Sequence, residues 1–318
     1  MDGAFFGLCH RPFRTTPDVA SYYPATGHEE ALARLRQAID EDEGLALLTG
    51  EPGTGKTLLC HRLLELLGPD AASAFLTNSH FRDRTGLLQA ILYDLSLPYE
   101  GRGEQELRLT LTDYLLKNFG AGRRSLLVID EAHHLTPDLL EELRLLGNLE
   151  ARQGKAVQVL LVAQPALEKT LNLPELAGLR QRLVVRTQLE PLGVHEAVDY
   201  LYHQLRLAGG RPAQVLAGEA AEVLAQGTRG VPRLLSQAAY QALGLAHQAG
   251  ARCVDVEAAL EALAVLGLEV GEEADEAADT SGLIRRPDAD EPGLAPVLSL
   301  AGQANDHEPQ PTPAEHVG

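Results

Sequence analysis

The chain has 318 residues and a formal net charge of -18, with 45% hydrophobic and 23% charged residues. This composition is that of a folded globular protein, and the length accommodates one large or two ordinary domains. The sequence contains no run of 18 apolar residues, so it predicts no membrane-spanning helix. Its first residues lack the basic region and apolar core of a signal peptide.

The most distinctive segment is the octapeptide Gly50-Glu51-Pro52-Gly53-Thr54-Gly55-Lys56-Thr57, which fits the phosphate-loop pattern G-x-x-x-x-G-K-[ST]. The apolar run 45–49 before it predicts a buried strand, and the leucine-rich run 58–67 after it predicts a helix that ends at Gly68-Pro69. If the match to the pattern arose by chance, the loop would bind no phosphate. The strand–loop–helix context instead predicts a phosphate site, because loop amides and the helix N-terminus face the anion.

Within this site each residue type has an expected role. The loop from Gly50 to Thr57, together with Leu58, is expected to hold the nucleotide phosphates. Lys56 should reach the β- and γ-phosphates, and the Thr57 hydroxyl should ligate Mg²⁺. The sequence thus predicts a site for a nucleoside triphosphate and Mg²⁺.

A second apolar strand, residues 125–129, ends in the two carboxylates of Asp130 and Glu131. In phosphate-loop proteins an Asp at this place holds the Mg²⁺ shell, and an adjacent Glu can polarise the attacking water. We therefore expect Asp130 to be a metal-side residue and Glu131 to be the catalytic base. His133 and His134 follow; we interpret them as surface or packing histidines rather than zinc ligands, because no Cys or third His lies at ligand spacing.

Strand-like and helical runs alternate through the first 192 residues, which predicts a parallel sheet covered by helices. The further predicted strands are 74–77, 157–163 and 183–189, and the further predicted helices are 107–119 and one that begins after Thr136 and ends by Gly154. From Val194 the pattern is purely helical, with segments 194–208, 213–226, 231–249 and 254–266. We predict an α/β nucleotide-binding domain over 1–192 and an all-α lid over 193–268.

Four polar side chains are candidates for reporting on the γ-phosphate. Gln164 ends a predicted strand, where it could contact the γ-phosphate or simply terminate the strand. Arg182, with Arg180 as second choice, could be offered to a neighbouring subunit's nucleotide or be an exposed helix-end arginine. Arg233 follows Gly230-Val231-Pro232 at the start of a lid helix, where it could face the nucleotide or form a surface salt bridge.

Residues 269–318 form an acidic tail. They contain twelve acidic residues against Arg285 and Arg286, a net charge of -10, which leaves -8 on residues 1–268. Six of the 18 prolines also lie here, so we predict a disordered tail that acts as a solvating segment or as a docking segment. The acidic balance argues against tight non-specific DNA binding, although a local basic face remains compatible with it.

Taken together, these residues resemble the AAA+ ATPases and, more narrowly, the general secretion pathway protein A (ExeA-type) family. The resemblance spans about residues 4–267 and includes the following segments: Phe5-Phe6-Gly7-Leu8, Arg11-Pro12-Phe13, Pro17-Asp18, His28-Glu29-Glu30-Ala31-Leu32, Leu48-Thr49-Gly50, Asp130-Glu131-Ala132-His133, Val162-Ala163-Gln164-Pro165 and Gln181-Arg182-Leu183. It implies a parallel-sheet phosphate-loop domain with a helical lid, ATP and Mg²⁺ as ligands, and a ring-like homo-oligomer. It also implies that residues around 24–28 border the adenine; an aromatic cluster of Phe5, Phe6, Phe13, Tyr22 and Tyr23 that packs on the core is the alternative.

The family's secretion proteins carry a transmembrane helix and a peptidoglycan-binding domain after the ATPase, whereas this chain has the acidic tail. Cell-wall remodelling is therefore not the expected role. The separated cysteines Cys9, Cys60 and Cys253 are typical of reduced thiols, so we expect a cytoplasmic location, at or near the inner face of the membrane.

Three hypotheses follow. The first is an oligomeric ATPase that couples hydrolysis to assembly of a secretion, pilus or polysaccharide-export system, with an inner-membrane component as partner. The second is a DNA-associated switch ATPase of the transposition type, which the acidic charge disfavours. The third is a non-catalytic scaffold that holds nucleotide, which the intact Glu131 disfavours.

Overall fold

A parallel five-stranded sheet forms the centre of the structure, a computed structural model that describes residues 3–14, 16–151 and 154–268. The strands are β1 (Leu45–Gly50), β2 (Ala72–Leu76), β3 (Ser125–Ile129), β4 (Glu150–Ala151), β5 (Gly154–Lys155), β6 (Gln158–Ala163) and β7 (Val185–Leu189). Strands β4 and β5 form a separate antiparallel hairpin. The other five run parallel in the order β2-β3-β6-β1-β7.

Twelve α-helices lie within the described residues. They are α1 (Thr26–Asp40), α2 (Lys56–Leu67), α3 (Arg84–Asp94), α4 (Glu104–Gly120), α5 (Pro137–Gly147), α6 (Leu167–Leu171), α7 (Ala177–Arg182), α8 (Val194–Leu207), α9 (Pro212–Val215), α10 (Gly218–Gly227), α11 (Pro232–Gln248) and α12 (Val256–Val265). None of the helices in these ranges is long and apolar enough to cross a membrane.

Successive residues of a strand point to opposite faces of the sheet, and here helices bury both faces. In β1, Leu45 and Leu47 belong to one hydrophobic cluster, with residues of α3, α4 and α5, whereas Ala46 and Leu48 belong to another, with residues of α1 and α2. This double burial explains why the strands are continuous apolar runs in the sequence. It also fixes their carboxyl ends at one edge of the sheet.

The strand order determines where polar residues can meet. Strand β6 lies between β1 and β3, with Leu161 paired to both Leu47 and Ile129. The loop after β1 and the carboxylates after β3 therefore emerge on either side of the end of β6. Crevices at the carboxyl ends of parallel strands are the usual ligand sites of such sheets.

The helices from α8 onward have their own hydrophobic core, and the N-terminal segment is part of it. Phe6, Leu8 and Phe13 are buried there, and Phe5 packs against them. The backbone N–H groups of Cys9 and His10 both donate to the carbonyl of Ala208, at 2.8 and 3.2 Å. Residues 3–14 thus form a strap that is fastened to the end of α8.

The five predicted strands and the purely helical region after residue 193 are present, which confirms the predicted fold class. The predicted helix 213–226 is wrong in detail: it is interrupted at Leu216, which forms a bridge with Val254, so α9 and α10 are separate. The helix after Thr136 ends at Gly147, before the predicted limit of Gly154, and the β4–β5 hairpin follows. Helices α1, α3, α6 and α7 were not predicted.

The boundary at residues 192 and 193 stays a prediction, since all the described residues, from 3 to 268, belong to one compact unit. The acidic tail from 269 lies outside the described residues.

Gly230 provides a test of how the helical region is joined to the α/β part. Its φ is +68°, its carbonyl accepts from the Leu192 N–H at 2.9 Å, and a Cβ there would lie 1.8 Å from the Leu192 carbonyl oxygen. Gly250 has a similar φ of +74° but open space around a Cβ. We expect Gly250→Ala to cost about 1 kcal/mol of unfolding free energy, from backbone strain alone, and Gly230→Ala at least about 2 kcal/mol more because of the clash.

The measurement is urea unfolding of both variants beside the wild type. Equal destabilisation by the two substitutions would contradict the contact between Gly230 and Leu192.

Candidate nucleotide-binding site

The phosphate loop connects β1 to α2, and two of its glycines are required by both conformation and space. Gly53 and Gly55 have φ of +88° and +100°, which side chains rarely adopt. A Cβ on Gly53 would lie 2.9 Å from the Cβ of Arg233, and one on Gly55 would lie 3.1 Å from Nε2 of His28. The loop is therefore packed from two sides by elements distant in sequence.

Lys56 is the first residue of α2 and is 6% exposed. Its ammonium group donates to the carbonyls of Gly50 and Glu51, at 2.8 and 2.9 Å. Burial lowers its pKa, an effect that the nearby Glu131 and other acids oppose. A buried, loop-bound ammonium lies where an incoming phosphate would replace the carbonyl contacts.

Thr57 and Asp130 join the loop to the end of β3. The Thr57 hydroxyl donates to Oδ2 of Asp130 at 2.6 Å, and Oδ1 accepts from the Glu131 N–H at 2.8 Å. Asp130 is only 3% exposed, and its carbonyl accepts from the Ser79 hydroxyl. A hydroxyl and a carboxylate are hard oxygen ligands, so this pair fits Mg²⁺.

Glu131 lies in a strained turn directly after β3. Its φ of 53° and ψ of 35° are left-handed, an arrangement that costs a non-glycine residue about 1–2 kcal/mol. Its carboxylate lines the same cleft as Lys56 and approaches Nδ1 of His133 at 3.4 Å. Strain of this kind is typical of residues held for function.

His133 connects this turn to the end of β6. Its Nδ1 lies 3.5 Å from the backbone N–H of Gln164, at the limit of a hydrogen bond. Burial and the neighbouring His134 lower the pKa of His133, and Glu131 opposes the shift. Gln164 is therefore placed beside His133 at the sheet edge.

His28 lies at the end of the segment expected to border the adenine, but its contact with the phosphate loop was not predicted. It is 7% exposed in the first turn of α1, and its Nε2 lies 2.8 Å from the Thr54 carbonyl, to which it donates. Burial lowers its pKa. It thus holds the middle of the phosphate loop from the side opposite Arg233. No local pattern in the sequence distinguishes it from an ordinary helix histidine.

Tyr200 and Gln204 of α8 line another side of the cleft, and Glu196 lies one turn before them on the same helix face. Glu196, Tyr200 and Gln204 lie four residues apart, so they share a helix face. Oε1 of Glu196 accepts from the Thr26 N–H at 2.8 Å, and the Gln204 amide donates to the Ser21 carbonyl at 2.9 Å. The four-residue spacing of these side chains is visible in the sequence, but the groups that they contact are not.

Aromatic residues of the N-terminal segment pack on the hydrophobic cores, and two of them also line the cleft. Tyr22 and Tyr23 line the cleft, and Tyr23 packs edge-to-face on Tyr200 with ring centroids 5.9 Å apart. Phe5, Phe6 and Tyr23 also pack with the helical region, and Tyr22 packs against the core next to α1 and α2. The alternative that the aromatic cluster packs on the core is therefore present, and the expectation that residues around 24–28 border the adenine stays a prediction.

Arg233 starts α11 against the phosphate loop. Its backbone N–H donates to the Gly53 carbonyl at 3.2 Å, and its side chain lines the cleft. Arg180 and Arg182 lie instead at the exposed end of α7, and neither lines this cleft.

Most of the predicted site residues therefore meet in one cleft. Those that line it are Pro52, Gly53, Thr54, Gly55, Lys56, Thr57, Leu58, Glu131 and Arg233. Gly50, Glu51 and Asp130 support the lining residues from beneath through the contacts described above. Gln164, Arg180 and Arg182 are not part of its wall.

The contact of His28 with Thr54 yields a prediction. His28→Ala leaves the Thr54 carbonyl without its buried donor, which costs about 1–2 kcal/mol, or roughly tenfold in affinity if the loop is distorted. We expect His28→Ala to weaken binding of a fluorescent ATP analogue about tenfold. His28→Gln, which can still donate, should recover part of the loss.

His195→Ala, at an exposed histidine of α8, is the matched control. Wild-type affinity in His28→Ala would show that the contact does not shape the loop.

Comparison with known proteins agrees with this geometry. A family model described as an AAA domain matches residues 39–171. General secretion pathway protein A of Aeromonas hydrophila is 38% identical over 283 residues, which are 88% of this chain and 50% of that protein. The chain therefore spans about half the length of this curated relative.

Solved structures share the fold at lower identity. Cdc6p of Pyrobaculum aerophilum superposes with a TM-score of 0.63 at 20% identity, over 82% of this chain and 70% of that one. The ORC2 protein of Aeropyrum pernix, in ADPNP–ADP complexes, superposes with a TM-score of 0.59 at 18% identity, over 83% and 71%. Residues 39–171 thus match an AAA domain, the chain has the fold of the AAA+ ATPases, and it is similar to general secretion pathway protein A over most of its own length.

Proposed function

We propose that this chain binds ATP with Mg²⁺ in the cleft and hydrolyses it to ADP and phosphate. The observation that carries the proposal is the convergence on one loop of Lys56, the Thr57–Asp130 pair, Glu131 and Arg233. These residue types supply what phosphoryl transfer requires, namely positioning and neutralisation of charge. These residues come from elements that are far apart in the sequence.

In this proposal the loop amides and Lys56 bind the β- and γ-phosphates, and the Lys56 ammonium exchanges its two carbonyl partners for phosphate oxygens. Thr57 and Asp130 would hold Mg²⁺, which when bound neutralises charge on the β- and γ-phosphates. The Glu131 carboxylate accepts a proton from the attacking water. The water oxygen bonds to the γ-phosphorus as the bond to the β-phosphate oxygen breaks.

Two further residues would respond to the presence of the γ-phosphate. Arg233 belongs to the helical region and contacts Gly53, so a movement of the phosphate loop would also move the start of α11. Gln164 would act beside His133, which lies between it and Glu131. Hydrolysis would in this way be linked to the position of the lid.

Arg182 is proposed to act on the nucleotide of a neighbouring subunit in a homo-oligomeric ring. Its exposure on α7, outside the cleft of its own chain, suits that role. A guanidinium offered there would stabilise charge on the transferring phosphoryl group. Arg180 is held to Asn172 at 3.3 Å and is the second choice.

We further propose that hydrolysis serves assembly of a secretion, pilus or polysaccharide-export system in the cytoplasm, with an inner-membrane component as partner. The support is the 38% identity to general secretion pathway protein A, a relative that the chain matches over half its length. The similarities to Cdc6p and ORC2 concern the fold and do not favour the transposition-type alternative.

The proposed roles of Lys56 and Glu131 are separated by paired variants. Lys56→Ala removes the charge that binds phosphate and should abolish detectable ATP binding and turnover. Glu131→Gln keeps the shape of the site without its base, so it should bind ATP normally and hydrolyse it at least about 100-fold more slowly. Binding is measured with a fluorescent ATP analogue and turnover by phosphate release.

Glu141→Gln, at a carboxylate of α5 paired with Arg144, is the matched control for the second variant. Normal hydrolysis by Glu131→Gln would show that another residue is the catalytic base. Normal turnover by Lys56→Ala would contradict the assignment of this cleft as the ATP site.

The role of Arg182 in a neighbouring subunit is tested by mixing. Arg182→Ala should lower turnover about 1,000-fold, as loss of an arginine finger does. Mixing it with the equally inactive Lys56→Ala should restore turnover, because some interfaces then combine an intact loop with an intact Arg182.

Arg180→Ala is the control for a nearby exposed arginine. Failure of the mixture to regain activity would show that Arg182 acts within its own chain, and full activity of Arg182→Ala alone would remove it from the mechanism.

A further inference from the structure

Three side chains after β3 are arranged as metal ligands. One ligand-type atom from each of Glu131, His133 and His134 lies within 4.8 Å of those from the other two. The Oε2 of Glu131 and Nδ1 of His133 are 3.4 Å apart. Two ligands of a tetrahedral zinc ion, with bonds of about 2.0–2.1 Å, are separated by about 3.4 Å. Glu131 and His133 are therefore already spaced as two ligands of one metal ion, and an imidazole nitrogen of His134 lies within 4.8 Å of both.

The local backbone explains how neighbouring residues can converge. Residues Ala132–His134 form a 3₁₀ turn that the left-handed Glu131 precedes, and the His134 N–H donates to the Glu131 carbonyl at 3.0 Å. Side chains three residues apart eclipse in a 3₁₀ turn, so Glu131 and His134 lie on one side. His133 stacks beside His134, with ring centroids 4.1 Å apart.

His80 lies beside His134 and is itself held by Asn78. Its ring lies 4.2 Å from that of His134, and its Nδ1 contacts the Asn78 side-chain oxygen at 3.0 Å. Three imidazole rings thus lie side by side at the edge of the candidate metal site. The sequence pattern did not indicate such a site, because the third ligand is the Glu131 carboxylate rather than a Cys or His.

We propose that Glu131, His133 and His134 form a binding site for a transition-metal ion such as Zn²⁺, distinct from the Mg²⁺ position at Thr57 and Asp130. Two imidazoles and one carboxylate are ligands that zinc takes in three-ligand sites, with solvent in the fourth position, whereas Mg²⁺ prefers oxygen alone. His134 is exposed, so the ion can enter from solvent. The long contact from Gln164 to His133 would be replaced by the metal bond.

Occupancy of this site would inhibit ATP hydrolysis, a consequence that rests on the proposed function. A carboxylate bound to zinc no longer accepts the proton of the attacking water, so the proposed base would be withdrawn. A metal ion bound at this site would then inhibit hydrolysis without competing with the nucleotide for Lys56 or Thr57.

The binding site is tested on the full chain without nucleotide, with Co²⁺ as the spectroscopic probe and Zn²⁺ as competitor. We expect the visible absorption of tetrahedral cobalt in the wild type and its loss on addition of Zn²⁺. His134→Ala removes one of three ligands at an exposed position, and should weaken binding at least about tenfold, since outer-shell losses alone cost 10–100-fold. His195→Ala, at another exposed histidine, should bind like the wild type.

Wild-type affinity in His134→Ala would overturn the proposal. So would binding that His134→Ala leaves intact but Asp130→Asn abolishes, because the ion would then occupy the Mg²⁺ position.

Turnover separates the two parts of the argument. With Mg²⁺ in excess, Zn²⁺ should inhibit the wild type and His195→Ala at the same concentration, and His134→Ala only at a concentration about tenfold higher or more. Equal inhibition of all three would contradict the inhibitory role of this site. A wild type that hydrolyses no ATP would contradict the proposed function alone, and the cobalt titration would still decide the metal site.

Discussion

The fixation of the phosphate loop from three directions is the constraint on which the rest of the structure depends. His28 of α1 holds the Thr54 carbonyl, Arg233 of α11 contacts Gly53, and Asp130 after β3 binds the Thr57 hydroxyl. The two glycines at positive φ allow these neighbours to approach as closely as they do. A loop held in this way presents its amides to an anion without reorganisation, which is the condition for electrostatic stabilisation.

The same contacts join the helical region to the site. Leu192 and Gly230 are in backbone contact at the start of that region, Glu196 caps α1 through Thr26, and the strap of residues 3–14 is bound to Ala208. Any displacement of α8 or α11 would therefore alter the groups around the loop. These contacts would be the structural basis for the proposed coupling of nucleotide state to the lid, and the strap is a part of them that the phosphate-loop motif alone does not reveal.

Much of the α/β architecture could be predicted from the sequence, because strands buried on both faces are continuous apolar runs and the phosphate loop has fixed glycines. The convergence of Lys56, Asp130 and Glu131 follows from parallel strands that share an edge. His28, Gln204 and the Glu131–His133–His134 cluster could not be predicted, since they depend on tertiary contacts and on a left-handed turn at a glutamate. The interruption between α9 and α10 was missed because a single bridge, Leu216 to Val254, overrides the helical pattern.

The most direct test of the central claim is a crystal structure of Glu131→Gln bound to ATP and Mg²⁺. The account predicts that the Lys56 ammonium leaves the Gly50 and Glu51 carbonyls for the β- and γ-phosphates. It predicts further that the metal contacts the Thr57 hydroxyl beside Asp130, and that Arg233 faces the γ-phosphate. A nucleotide bound outside this cleft, or a Lys56 that keeps its carbonyl partners when ATP is bound, would contradict it.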